Sequence, residues 1–117
     1  MVLPPHVFAA ILPEGKSSKV EVHSAKGPVF ATAIIAGVMA AKNTSNLIPF
    51  CHPIMLESCD ISIIIDDTVP NSILIDCKVS TTHKTGVEME AMVGASSASL
   101  CIYDMMKAAS HDIQVGH

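Results

Sequence analysis

The chain contains no arginine, no tryptophan and few aromatics of any kind, with Tyr103, Phe8, Phe30 and Phe50 making up 3% of its 117 residues. Stacking platforms for single-stranded nucleic acid need more rings than this, so the core must be built from Ile, Val, Leu, Ala and the seven methionines. Every basic residue is a lysine, at positions 16, 19, 26, 42, 78, 84 and 107, and the net charge is −4. A nucleic-acid partner, which demands a basic surface, is excluded on that balance. Long apolar runs are also lacking: the longest uncharged stretch, Gly27 to Ala41, has fifteen residues, short of the roughly 20 needed to cross a bilayer. The opening MVLPPHVFAA has no cationic flank and turns polar at Glu14-Gly15-Lys16. It does not resemble a secretion signal, so no membrane association and a cytoplasmic location are expected. The four cysteines, at 51, 59, 77 and 101, form no C-x-x-C pair and are expected as reduced thiols. Nucleophile elbows, phosphate-binding loops and dinucleotide fingerprints are missing too.

What is present describes one folded domain spanning 1–117. Half the residues are apolar and 15% are charged, a composition that buries a single core and does not remain disordered. Val7 to Leu12 and the alternating Lys19 to His23 are each compatible with a short strand or a helical turn. Gly27-Pro28 sits at the start of an alanine-rich block that predicts a helix from about Pro28 to Asn43. That helix is apolar on nearly every face, which calls for cover on both sides, from its own domain and from a second chain. Pro49 and Pro53 hold Phe50-Cys51-His52 out of any helix. Glu57 to Ile65 and Ser72 to Thr82 flank the turn signal around Asp66 to Asn71 and predict an antiparallel hairpin. A second helix is predicted from Val87 to about Ala109, and Asp112 to Val115 could add a short strand. Helix, hairpin, helix is an α+β two-layer domain with an antiparallel sheet.

Charge on the second helix is confined to its ends, with Glu88 and Glu90 near the start and Asp104 and Lys107 near the finish. Asp104 and Lys107 are three apart and share a face. Glu90 and Asp104 are separated by about 21 Å along the axis, at about 1.5 Å per residue. One small molecule does not reach both ends of one helix, so a site using both is most simply built between two chains. Plain structural roles compete with this reading: a solvated ion pair for Asp104 and Lys107, dipole compensation for Glu88 and Glu90, an exposed lysine for Lys26 and a turn histidine for His52. Cys51, His52 and Cys59 carry zinc-ligand chemistry, but adjacent residues in an extended segment point apart, and no metal site is expected.

Three segments, KGPVFATAIIAGVMAAKNTSNLIPFCHPIML, KTGVEMEA and LCIYDMMKA, resemble in order and spacing the MoaC family of molybdenum-cofactor biosynthesis proteins, the cyclic pyranopterin monophosphate synthases. The resemblance runs over residues 26–109. It implies a ferredoxin-like fold, a hexamer built as a trimer of dimers, and sites at subunit interfaces. The implied reaction is that of a lyase: (8S)-3′,8-cyclo-7,8-dihydroguanosine 5′-triphosphate, supplied by a radical SAM GTP cyclase, becomes cyclic pyranopterin monophosphate with release of pyrophosphate. These steps need proton transfers and no redox chemistry, and neither cofactor nor metal is implied. Asp104, Lys107 and Lys26 fall on the family's catalytic positions. Phe50, Cys51 and His52 fall on one substrate-binding segment, and Met89 and Glu90, with Glu88 beside them, on the other. A lysine lowered in pKa by burial or by a second lysine would act as acid and base, with Asp104 orienting Lys107.

Several positions depart from the family pattern. Pro28 replaces the aspartate of K-G-D and Ile34 replaces an arginine. The family's M-V-D-V arm and its G-G-K-S-G segment have no counterpart here. With no arginine, bidentate phosphate recognition falls to single-point lysines such as Lys26, Lys107, Lys42 or Lys84. The alternative expectation is a weakened or inactive MoaC-like binding or assembly subunit.

Overall fold

The computed structural model describes residues 1–11, 20–108 and 113–116. A first helix, α1 (Pro5–Ile11), takes up most of the Val7 to Leu12 run and points Val7 and Ile11 inward, one turn apart. Pro5 opens it without cost, since the first helical N–H has no partner within the helix. Leu12 and Lys19 lie outside the described residues. Among the described residues of the alternating segment only His23 enters a ladder, as the first residue of β1 (His23–Ser24), antiparallel to β2 (Gly27–Pro28). Pro28 is thus still extended, with φ −69° and ψ 122°, and the long helix α2 starts one residue later, as Val29–Lys42.

A single turn, α3 (Thr44–Leu47), follows α2 and was not foreseen from the sequence. Thr44 is buried and its hydroxyl donates to the Ala41 carbonyl at 2.9 Å, carrying the chain into the new turn. The hairpin is β3 (Ser58–Ile65) with β4 (Ile73–Ser80), in the register Ile61 opposite Cys77 and Ile65 opposite Ile73. Asn71, at φ 56°, closes its turn in the left-handed region that asparagine tolerates. The last helix, α4 (Glu88–Met106), lies within the predicted bounds; Ala109 and Asp112 are outside the described residues. Gln114 forms only an isolated bridge to Val2, which is also bridged to Ser72.

Strand alternation sends Ile61, Ile63, Ile73, Ile75 and Cys77 to one face of the hairpin, where α2 and α4 cover them. The result is an α+β two-layer arrangement, with small antiparallel sheets packed against helices in the ferredoxin-like manner. The helices approach closely because glycine faces glycine: a Cβ placed on Gly37 would stand 2.8 Å from the Gly94 carbonyl oxygen. Val29, Phe30, Ala33, Ala98 and Ile102 complete the core. On the outer side of the helical layer Ile35, Met39, Met92 and Leu100 are more than half exposed. Within one chain, therefore, α2 is covered on one side alone. Among the described residues no helix is long and apolar enough to cross a membrane.

Candidate functional site

At the C-terminal end of α4 the two most distant of the marked residues in sequence meet. Lys26 occupies the turn between β1 and β2, and its Nζ donates to Asp104 Oδ2 at 3.0 Å. Lys107, the residue that closes α4, donates from Nζ to Asp104 Oδ1 at 2.8 Å. One carboxylate thus holds two ammonium groups, each through its own oxygen. All three side chains stay about half exposed, open to a ligand.

The bonds from Lys107 and Lys26, with their charges, hold the Asp104 carboxyl below the usual carboxylate range. Reciprocally, the Asp104 carboxylate pushes Lys107 up from the ordinary lysine value. A lowered lysine, the condition under which Lys107 would serve readily as a base, is therefore not what this chain provides by itself. The reason is that the Asp104 hydrogen bond and charge stabilise the ammonium form more than desolvation opposes it. As it stands, the cluster is a pair of fixed cations with protons to give. A cavity of about 310 Å³ lies beside it, lined by Val22, His23, Ser24, Ala25 and Met105 among others.

The second group of marked residues gathers at the opposite end of α4. Glu90, in the first turn of α4, is 3% exposed and turned inward. Its Oε2 accepts a long contact from Cys51 Sγ at 3.9 Å. Partial burial, then the Glu90 charge and hydrogen bond, raise the Cys51 thiol above its usual value. A larger cavity, about 470 Å³, opens here between Lys42, Thr44, Pro53, Met55 and Glu90. Phe50 is 98% exposed, His52 and Glu88 are exposed, and Met89 is half-buried. Phe50, Cys51 and His52 lie outside regular structure, as their flanking prolines predict.

The structure thus brings Lys26, Asp104 and Lys107 together, and separately Cys51 and Glu90. The two groups remain at opposite ends of one helix. Lys42 lines the second cavity, whereas Lys84 is exposed in the segment before α4. Among the described residues no group of three or more His, Cys, Asp or Glu is placed to hold a metal ion.

One residue escaped the sequence reading. Glu21 accepts backbone N–H bonds at Oε1 from Val22 (2.9 Å) and Phe30 (2.8 Å), and at Oε2 from Ala31 (3.0 Å). Burial works against its ionisation, but these bonds outweigh it and keep the carboxyl below its ordinary value. The helix-start signal at Gly27-Pro28 gives no hint of it, because the capping carboxylate comes from a residue nine positions before Phe30.

Comparison with known proteins agrees with the motifs. The MoaC family model matches residues 4–117, more of the chain than the motifs themselves span. Molybdenum cofactor biosynthesis protein 1 of Dictyostelium discoideum is 62% identical over 99 residues, covering 85% of this chain and 15% of that protein. Cyclic pyranopterin monophosphate synthase of Xanthomonas axonopodis pv. citri (strain 306) is 51% identical over 96 residues, covering 81% of this chain and 56% of its own length. The protein of that name from Nitratidesulfovibrio vulgaris is 50% identical over 90 residues, with 77% and 55% covered. The chain spans little more than half the length of these synthases and a smaller part of the Dictyostelium protein. With the three motifs in register and the family model running over nearly the whole length, the chain belongs to the MoaC family.

Proposed function

We propose that the chain acts in molybdenum-cofactor biosynthesis as a cyclic pyranopterin monophosphate synthase, a lyase that rearranges the 3′,8-cyclised dihydro-GTP into cyclic pyranopterin monophosphate and releases pyrophosphate. The observation that carries this reading is the Lys26–Asp104–Lys107 cluster, with both lysines within 3.0 Å of one carboxylate. Two cations fixed side by side suit a substrate bearing a triphosphate, and neutralising the departing pyrophosphate stabilises the charge that develops there. Lys107, held in its ammonium form, supplies a proton during ring opening and closure, while Asp104 keeps both lysines in place. At the other end of α4, Glu90 accepts from the N–H edge of the guanine-derived ring, and Phe50, Cys51, His52, Glu88 and Met89 contact the same substrate. The family relationship and the names of the relatives support the assignment.

Because the two groups sit about 21 Å apart along α4, the complete site is proposed to form between copies, the start of one α4 facing the end of another. The assembly is a homo-oligomer, a hexamer of three dimers, working in the cytoplasm downstream of a radical SAM GTP cyclase. Conversion of the cyclised dihydro-GTP by purified protein tests the reading, with Lys26→Ala and Lys107→Ala as controls. Turnover by the native chain that falls at least about 100-fold in both variants supports it, since loss of one fixed charge at a reacting group costs on that order. A folded oligomer that binds the substrate without converting it favours the second reading, a binding or assembly subunit. The feature behind that reading is the lack of any arginine in the chain, which leaves the phosphates to single-point lysine contacts.

A further inference from the structure

Lys26 is the one member of the cluster that does not ride on α4. It sits in the turn of a two-residue ladder, where a side chain would ordinarily sample a wide volume. Yet its Nζ stands 3.0 Å from Asp104. The segment that carries it is closed in two places. Near the tip, Ser24 Oγ accepts from the Lys26 N–H at 3.1 Å. At the base, the Val29 N–H donates to the Val22 carbonyl at 2.9 Å, and Glu21 gathers three N–H groups, two of them from the first turn of α2. Phe30 is 2% exposed and belongs to the core. Glu21 is therefore anchored to a part of the molecule that cannot drift.

We infer that Glu21 is a positioning residue: by tying the Lys26 segment to the first turn of α2, it fixes where the Lys26 ammonium stands against Asp104. Its carboxylate touches neither lysine and neither of the two cavities, so it acts through Lys26 alone. The geometry is specific to a carboxylate. Three N–H donors converge on two oxygens, and a glutamine would offer one oxygen and turn an NH₂ group toward a donor, leaving at least one N–H without an acceptor. An aspartate keeps the charge but is one methylene too short to reach Phe30 and Ala31 together while remaining beside Val22. The catalytic consequence rests on the proposed synthase reading; the positional claim does not.

The test uses the full chain and reads the Asp104 carboxyl directly, by its ¹³C chemical shift against pH. Four proteins are titrated: the native chain, Glu21→Gln, Lys26→Ala and the double variant. Asp104 is expected to titrate low in the native chain. In Lys26→Ala its midpoint should rise, and in Glu21→Gln it should move most of the way to the Lys26→Ala value. The double variant should coincide with Lys26→Ala, because Glu21 has nothing left to position. A merely structural residue would lower the melting temperature and leave this midpoint where it was. Should Glu21→Gln be too unstable to titrate, Glu21→Asp takes its place, with a smaller displacement in the same direction.

Turnover is followed in the same proteins. Glu21→Gln is expected to lower kcat about tenfold with KM within about twofold, and to add nothing to the loss in Lys26→Ala; misplacing a reacting group by a fraction of an ångström has effects of this size. A native-like Asp104 titration in folded Glu21→Gln overturns the inference. So does an equal further loss in the Lys26→Ala background. If the midpoint moves as expected while the native chain shows no turnover, Glu21 still sets the position of Lys26, and it is the synthase reading that fails.

Discussion

At the scale of single residues, the ion cluster sets a pH signature. Asp104 titrates below its unfolded value, so its contribution to folding is present above the ordinary carboxylate range and is lost as the pH falls through the folded value. Lys107 titrates above its unfolded value, so its contribution is complete below the ordinary lysine range and is lost as the pH rises through the folded value. Between about pH 5 and pH 9 neither group changes charge. The Asp104 and Lys107 shifts should therefore be flat over that window by NMR, and an inflection of substrate binding near neutrality that vanishes in Lys107→Ala would contradict the assignment. Cysteine chemistry gives a second expectation. Burial first, then the neighbouring Cys59 thiol, pushes Cys77 up to about 11, so about one molecule in a thousand carries its thiolate at pH 8. Iodoacetamide labelling at that pH, read by mass spectrometry, should leave Cys77 essentially unmodified in the folded chain and modify it freely in urea.

The elements were largely legible in the sequence because their signals are local. Alanine density and the Gly-Pro start mark α2, alternating isoleucines mark β3, and the long uncharged block with charged ends marks α4. Legibility failed where an element depends on its surroundings. α3 rests on Thr44 reaching back to the carbonyls of α2, and β1 and β2 are two residues each, too short for any period to show. Packing between elements reverses a propensity rule as well. In an isolated helix Gly37→Ala gains up to about 1 kcal/mol. Here the added methyl would meet Ile61 Cδ1 and would stand 2.8 Å from the Gly94 carbonyl oxygen and 3.2 Å from Ala98 Cβ. A backbone carbonyl does not move aside as a side chain can, so Gly37→Ala should destabilise by roughly 1–3 kcal/mol, the usual cost of overpacking. Urea denaturation would show it as a lowered midpoint at unchanged slope; an unchanged or raised midpoint would mean that α2 and α4 separate without cost.

For the whole molecule, the open question raised by the site is what stands opposite the outer helical face. Ile35, Met39, Met92 and Leu100 leave an uncharged stripe along α2 and α4, and the two groups of marked residues lie at the ends of the same helix. An assembly that buries the stripe and joins the groups accounts for both. Light scattering should give a mass of several 12.3 kDa subunits, and Leu100→Glu should shift it toward the monomer, because an unpaired charge in an apolar interface is costly to desolvate. Full turnover by a monomer would exclude a site shared between chains.

Local chemistry in the sequence was enough to determine the helix–hairpin–helix order and, through its motifs, the family. Each rests on neighbours within a few positions or on composition, which no packing can alter. Tertiary structure alone decided that Lys26 and Lys107 share the two oxygens of Asp104, that Glu90 turns inward while Glu88 does not, and that Glu21 caps a helix beginning eight residues later. Those relations depend on where the chain returns to itself, and contacts between residues 26 and 104 leave no periodic trace for a sequence to display.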